Sequence, residues 1–423
     1  MGVQRRGARK VRALSRGWVT DTSGIGRRIA YWRDRRGFTQ TDFGQLMGQT
    51  KRWVQDIEGG KRQQDPRLSV LMRAAEVLRI PLEQLLTDST PAPPPGNTPP
   101  ADALTVIDAL YGSTGQDDPP PLPVLQRRLV YCCEAFQACH YSTLARELPA
   151  LILGAGQAAH SAPVGAQSKA QALLSRVYQL TTSYLHKYGA ATTVQAALAA
   201  DRALSAAELS GDPVQIGAAA RRVAKSLVYQ QRPQAAVEFA TNAARRLVRE
   251  LTDRGPLGLS TLGMLHLSAA LAASSQERTT SRVRAATDYV DEASEAADRQ
   301  GGDMDEDWTQ FGPTNVRLHR VDMLVRFEDG WSALEAADGI DPAAFAGLSR
   351  ERQAGHHVAM ARASLLTRRK DDAAEALLDA DRLAPEEVRG RPDTVALVKD
   401  VVGAMPSPAG DLRALAERCG LRA

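Results

Sequence analysis

The sequence predicts an all-α protein with a small helical head, residues 21–87, and a large helical body, residues 124–423. Apolar residues recur at helical spacing between Ile25 and Leu86. From Val124 onward the chain is rich in Ala and Leu, has almost no alternation of β-branched and polar residues, and is broken at intervals by Gly, Asp and Pro. Proline-rich sequence separates the two regions, so we expect two domains.

Two helices joined by a short turn are expected in the middle of the head. Thr39 followed by Asp42 has the form of a capping box, so the first helix should begin at Gln40. Gly48 lies where the chain reverses, because a residue without a Cβ adopts a positive φ most easily. Thr50 can then cap the second helix through its hydroxyl group.

The second of these helices should have one buried face and one exposed face. Val54 and Ile57 are three residues apart and should both point into the core of the head. That phase leaves Lys51, Arg52 and Gln55 facing outward. Arg and Lys can bond to guanine edges and Gln can bond to adenine, so the outward face is chemically suited to a major groove.

With helices also expected from Ile25 to Arg36, Leu68 to Leu78 and Leu82 to Leu86, the head resembles the DNA-binding domains of the Xre family, the phage-repressor and Cro-like proteins. The resemblance includes the sequences FTQ from Phe38 and IEGGKR from Ile57. It implies a five-helix, repressor-like head that binds double-stranded DNA. The family's contacts fall on Gln40 and Thr50 at phosphates, on Lys51, Arg52 and Gln55 at bases, and on Lys61 and Arg62 at the backbone.

Charge is divided unevenly along the chain. Residues 1–86 contain 18 Lys and Arg and 8 Asp and Glu, a net charge of +10, whereas the whole chain carries +4 and the remainder therefore −6. Basic charge is thus concentrated where a polyanion would dock. Residues 1–20 are expected to be a basic arm. It is either a disordered segment that follows phosphates or enters a minor groove, or else a solubilising tail or the product of a misassigned translation start. No apolar segment of signal-peptide type follows these charges.

Residues 88–123 read as a stiff, proline-rich linker that brackets an apolar segment, Leu104 to Tyr111, which is expected to be a lone docking helix. Beyond the linker, helix pairs are expected to start at residues 168, 214 and 257, which are 46 and 43 residues apart. Such recurrence predicts an α-solenoid. The later sequences GIDP from Gly339 and RLAP from Arg382 resemble the helix ends of tetratricopeptide repeats.

A repressor-like head followed by a tetratricopeptide-like body resembles bacterial regulators that couple DNA binding to a repeat domain, some of which sense peptides there. The resemblance implies a cytoplasmic, nucleoid-associated transcription factor. Its body would bind a peptide, a small-molecule effector or a partner protein, and would form a homodimer. The alternative is an interaction scaffold or antitoxin-like partner whose head contacts protein rather than DNA; the basic outward face favours DNA.

One segment of the body has the composition of an effector site. In WTQFGPTNVRLHR, from Trp308 to Arg320, a Gly-Pro turn opens a helix that carries Asn315, His319 and Arg320. An Asn side chain can donate to and accept from an extended peptide backbone. The alternative interpretation is an inter-repeat turn with a capping Asn and a solvated basic face.

Other function classes find little support in the sequence. We expect no enzyme, since no nucleophile, base and oxyanion site can be assembled, and no cofactor or metal site, because the His residues lack ligand spacing. The apolar run from Leu148 to Ala159 is interrupted by Pro and Gly and is too short to cross a membrane. The four cysteines are expected to be reduced and mostly buried, with Cys132 and Cys133 the one pair that could sense oxidants.

Overall fold

The computed structural model of the chain describes residues 24–36, 38–59, 68–78, 80, 82, 85, 99–112 and 120–421. Within these ranges the protein is helical, with no strand and one isolated antiparallel bridge between Met304 and Phe311. The predicted all-α class is therefore confirmed. The chain divides into two compact units, Met1–Pro95 and Gly96–Ala423. The basic arm, most of the proline-rich linker, Lys61 and Arg62 lie outside the described residues.

The described part of the first unit contains four helices of the head. They are α1 Ile25–Arg35, α2 Gln40–Leu46, α3 Lys51–Glu58 and α4 Leu68–Leu78. Their apolar stripes meet in one core, in which Ile29, Phe43, Val54, Leu71 and Leu78 are buried. Of the predicted fifth helix only Leu82 and Leu85 are described, and Leu85 is fully buried in this core.

The capping signals place α2 and α3 where the sequence predicts them. The hydroxyl of Thr39 accepts a hydrogen bond from the amide of Asp42 at 3.1 Å, and the carboxylate of Asp42 accepts one from the amide of Thr39 at 3.0 Å. Thr50 accepts from the amide of Trp53 at 3.3 Å. Gly48 in the turn has φ of +67°. The sequence did not predict that α1 also lies very close to the end of α3: a Cβ on Gly26 would lie 2.1 Å from the carbonyl oxygen of Ile57.

The second unit is a succession of helices, most of which pack on their neighbours along the chain. They are α5 Ala101–Tyr111, α6 Leu122–Gln137, α7 Tyr141–Ser161, α8 Gln167–Leu185, α9 Thr193–Ser210, α10 Pro213–Tyr229, α11 Pro233–Asp253, α12 Pro256–Ser274, α13 Thr280–Gln300, α14 Pro313–Arg326, α15 Gly330–Asp338, α16 Pro342–Ala346, α17 Arg350–Leu366, α18 Lys370–Leu383, α19 Pro385–Arg389, α20 Pro392–Ala404 and α21 Gly410–Arg418. Short 3-10 turns span Val164–Ala166, His186–Thr192 and Glu306–Trp308.

Two details of the second unit extend the predictions. The apolar segment expected as a docking helix within the linker, Leu104 to Tyr111, belongs to α5, which begins three residues earlier and packs on α7, because Val106, Ile107 and Leu110 make an apolar stripe that α7 buries. Pro342 and Pro385 follow the ends of α15 and α18 as predicted, but each then opens a short additional helix. Proline suits the first position of a helix, since its missing amide hydrogen needs no partner there.

One long apolar helix, α12, has the length and composition of a membrane span. Of its most apolar window, 78% is buried inside the protein. It packs against α11, α13 and α14, so it is a core helix of the body.

Late helices of the body contact early ones. The side chain of Gln137 donates to Asp305 at 2.9 Å, and Arg350 donates to the carbonyl oxygen of Ala138 at 3.3 Å. Lys187 forms ion pairs with Glu351 at 2.6 Å and Glu387 at 2.8 Å. The helical succession therefore curves until its later part meets its beginning, and it encloses a cavity.

Candidate functional site

The exposed face of α3 carries the three side chains that the sequence assigns to DNA bases. Lys51, Arg52 and Gln55 are exposed, while Val54 and Ile57 on the opposite face are buried. Trp53 is half-buried against the core of the head.

A chain of polar contacts ties this face to the rest of the head. Arg33 of α1 donates to Glu58 of α3 at 2.5 and 3.2 Å, and both side chains are 8% exposed. Glu58 also accepts from Gln40 at 2.9 Å, and Gln40 accepts from Gln55 at 3.2 Å. The contacts fix Gln40 at the first position of α2 and orient Gln55 on α3, so two of the predicted DNA contacts are held before any ligand arrives.

The sequence analysis did not predict the ion pair between Arg33 and Glu58, which connects α1 to α3. A signal was present, because Arg33 lies four residues after the buried Ile29 and therefore on the apolar stripe of α1. A charged residue in that position usually has a buried partner. Thr50, the remaining predicted phosphate contact that is described, is exposed, and its hydroxyl caps α3.

The body encloses a cavity of about 1300 Å³. Its wall is built mainly from α8, α10, α12, α14, α17 and α20, which are alternate helices along most of the succession. Nine Arg and Lys and six Asp and Glu line it, a surplus of three positive charges. Apolar side chains such as Leu180, Val228 and Leu271 form the rest of the wall. The wall can therefore bind both charged and apolar parts of a ligand.

Several of the charged groups in the wall neutralise one another. Arg176 pairs with Asp307 at 2.8 Å, Arg391 with Glu387 at 2.7 Å, and Arg326 with Asp322 at 3.3 Å. Burial raises the pKa of Asp307, although Arg176 opposes this. Burial also works against ionisation of Asp322, but Arg326, His319 and Arg362 together outweigh it, and the pKa of Asp322 is lowered.

Three cations on α10 have no such partner. Arg221, Arg222 and Lys225 all line the cavity, and no ion pair joins any of them to an acidic side chain in the described part of the chain. Burial, followed by repulsion from neighbouring cations, lowers the pKa of Arg221 well below its usual value and that of Arg222 to about 10. The side chain of Lys225 lines the same cavity and is exposed there.

Of the three predicted effector residues, the structure places two in this wall. Asn315 is fully buried, and its amide group donates to the carbonyl oxygens of Thr309 at 3.1 Å and Gln310 at 2.8 Å. Its side-chain oxygen has no hydrogen-bond partner among the described residues. Asn315 therefore holds the preceding turn, as the alternative interpretation expected, while it also lines the cavity.

His319 lines the cavity as well, and its Nδ1 lies 2.9 Å from the carbonyl oxygen of Asn315. Burial and the nearby Arg352 lower the pKa of His319 to about 4, so the imidazole is neutral near pH 7. Arg320 forms an ion pair with Asp291 at 2.5 Å and is not part of the cavity wall. The side chain of Arg320 points elsewhere because it is one position, about 100°, further round α14.

The buried cysteines offer no reactive thiolate. Cys132, Cys133 and Cys139 are buried as predicted, and burial raises their pKa to about 11, 12 and 12. A thiol with a raised pKa is a poor nucleophile and a poor metal ligand at neutral pH.

Comparison with models of protein families, with curated proteins and with solved structures found no match to this chain.

Proposed function

We propose that the chain is a sequence-specific, DNA-binding transcriptional regulator. In this proposal α2 and α3 are a helix-turn-helix of the Xre type, and α3 enters a major groove. The body is a tetratricopeptide-like α-solenoid that binds an effector and mediates dimerisation. The protein would work in the cytoplasm, bound to the nucleoid.

The observation that carries the proposal is the exposed face of α3. Lys51, Arg52 and Gln55 project from it, and the neighbouring helix begins at Gln40, which hydrogen-bonds to Gln55. Base recognition needs side chains of this type on a helix whose opposite face is fixed in a core. Val54 and Ile57 provide that fixed side.

A second observation supports DNA over a protein partner for the head. Residues 1–86 have a net charge of +10, and the exposed positions of α3 are basic or amide side chains rather than apolar ones. Phosphate neutralisation by Lys and Arg supplies most of the affinity for a duplex. A protein-binding face would expose a larger apolar area, since interface centres are depleted in charge.

The first experiment measures affinity by fluorescence anisotropy on a duplex selected by the full chain from a random pool. Arg52→Ala should weaken binding to the selected duplex by about 1–3 kcal/mol and relax the preference at one base pair. The matched control is Arg73→Ala, which removes an exposed Arg of α4 that pairs with Glu76. The control should leave the base preference unchanged.

Equal losses on the selected duplex and on random duplexes would show that Arg52 contacts only the backbone. No preference for any duplex in the wild-type chain, together with capture of a protein by the exposed face of α3, would replace this proposal by the scaffold alternative.

A further inference from the structure

The interior of the body differs in charge from the rest of the chain beyond the head. Residues 87–423 sum to −6, yet the cavity wall has three more basic than acidic side chains. Surplus like charge inside a cavity is unfavourable, because burial disfavours the ionised form and neighbouring cations repel. A cavity wall with this surplus is therefore suited to an anionic ligand, whose charge would offset it.

The excess of basic side chains in the cavity wall lies on one stretch of one helix, α10. Arg221, Arg222 and Lys225 occupy positions i, i+1 and i+4 of α10, and no acidic side chain described in the structure lies within ion-pair distance of them. The Nε of Arg222 is buried and has no hydrogen-bond partner among the described residues. The acidic groups nearest to these cations are already engaged, since Asp307 pairs with Arg176 and Glu351 with Lys187.

We propose that Arg221, Arg222 and Lys225 form the anion subsite of the body's cavity, and that the effector is a small organic molecule with a phosphate-type dianionic head and an apolar part. This inference deepens the effector-binding part of the proposed function and does not depend on what the head binds. Two planar guanidinium groups and one ammonium group provide several donors to tetrahedral oxygens, which is how phosphate esters are commonly held.

The apolar part is assigned from the remainder of the wall. Leu180, Val228, Leu271 and Met264 line the cavity together with the half-buried Trp308. Small-molecule pockets have volumes of roughly 300–1,000 Å³ and combine apolar walls with a few polar anchors. A cavity of about 1300 Å³ is therefore large enough for a complete small molecule with its first water molecules.

Neutral groups that can recognise a second polar feature of the ligand lie in the same wall. Burial lowers the pKa of His319 and of His356 to about 4, so both imidazoles are uncharged at neutral pH. Asn315 also lines the cavity, with a buried side-chain oxygen that has no hydrogen-bond partner in the described structure. A neutral imidazole has one donor and one acceptor nitrogen, which suits a hydroxyl or amide group on the body of the ligand.

The test uses isothermal titration calorimetry with the full chain and three probes: 1-naphthyl phosphate, 1-naphthol and inorganic phosphate. We expect 1-naphthyl phosphate to bind more tightly than either fragment, and its affinity to fall as salt is added, because the head group is held by charge. The double variant Arg222→Gln/Lys225→Gln should weaken the phosphate ester by about tenfold or more.

The matched control is Arg246→Gln/Arg249→Gln, which removes the same charge from exposed positions of α11. It should bind all three probes like the wild-type chain. Thermal melting of the double variant should occur at the same temperature or higher, since removing like charges relieves repulsion, and this distinguishes lost binding from lost folding.

Inorganic phosphate bound as tightly as its naphthyl ester would overturn the apolar part of the proposal. Three results would overturn the anion subsite: 1-naphthyl phosphate does not bind, it binds the two double variants equally tightly, or its affinity does not depend on salt. DNA binding by the head enters none of these measurements, so failure here and failure of the proposed DNA contact are separate results.

Discussion

Replacing Lys187 with Met should destabilise the body by about 3–5 kcal/mol, because it leaves buried carboxylates without their shared cation. Nζ of Lys187 lies 2.6 Å from Glu351 and 2.8 Å from Glu387, and the side chains of Lys187 and Glu387 are 7% and 1% exposed. Arg391 and Tyr141 would remain bonded to Glu387, so part of the cluster survives. Met is similar in length to Lys, so the loss should come mainly from charge.

This ion cluster also joins distant parts of the body, since Lys187 is 164 residues from Glu351 and 200 from Glu387. Urea unfolding at pH 7, followed by circular dichroism, measures the loss. The control is Arg320→Met, which breaks an ion pair with Asp291 whose side chains are 36% and 57% exposed. An exposed pair contributes about 0–1 kcal/mol.

The cluster predicts a pH dependence as well. Burial favours the neutral forms of Glu351 and Glu387, but Lys187 together with Arg352 at Glu351 and Arg391 at Glu387 outweighs it, so the pKa of both carboxyl groups is lowered. Carboxylates with a lowered pKa stabilise the fold above their unfolded pKa of about 4.3, and this stability is lost as the pH falls through the folded value. The difference between wild type and Lys187→Met should therefore shrink in acid. Two results would refute this reasoning: an equal loss of unfolding free energy in Lys187→Met and Arg320→Met at pH 7, or a loss in Lys187→Met that stays the same in acid.

Three further predictions concern the head, the cavity and assembly. Glu58→Gln should destabilise the head by about 3–5 kcal/mol, measured by urea unfolding, because Arg33 loses a buried partner at 2.5 Å; an effect below about 1 kcal/mol would contradict it. Because the pKa of His319 is lowered to about 4, the unfolded chain binds more protons between that value and about pH 6.5. Stability should rise with pH across this window, and His319→Gln should flatten the rise in pH-dependent melting; an unchanged slope would refute it. Light scattering should show a dimer on two half-sites whose centres are about 34 Å apart or a multiple of that distance, whereas a monomer both free and on DNA would exclude it.

The elements that the sequence predicts well depend on local chemistry. The capping box of Thr39 and Asp42 involves residues three apart, and the structure contains both of its hydrogen bonds. Helix starts in the body were expected at residues 168, 214 and 257, and α8, α10 and α12 begin at Gln167, Pro213 and Pro256. Gly, Pro and Asp determine these ends through backbone geometry and capping, which sequence displays directly.

The cavity depends on contacts that no local pattern displays. Arg221, Arg222 and Lys225 read in sequence as an ordinary solvated face of a helix, and so does Arg320. The first three become the wall of an enclosed space only because the helical succession returns to its beginning, through pairs such as Lys187 and Glu351. The curvature is the sum of small rotations between successive helices along the body. A sequence pattern predicts each helix but not the size of these rotations.

Asn315 shows the same limit at the level of one side chain. Its amide side chain and its place at the start of α14 are compatible with both a capping role and a ligand contact. In the structure its amide NH2 group donates to the carbonyl oxygens of the turn, and its side-chain oxygen is buried without a hydrogen-bond partner among the described residues. Which of these groups is bonded depends on how the body packs, and the local sequence does not show that.

The most direct measurement of the central claim is a genome-wide binding map by immunoprecipitation, made in the organism's own cells with the wild-type chain and with Arg52→Ala at equal abundance. The account predicts discrete binding regions that share a two-fold symmetric sequence in the wild type, and weaker or relaxed binding at one base pair per half-site in the variant. Signal without a shared sequence, or an identical map for both chains, would contradict the claim that α3 reads DNA bases.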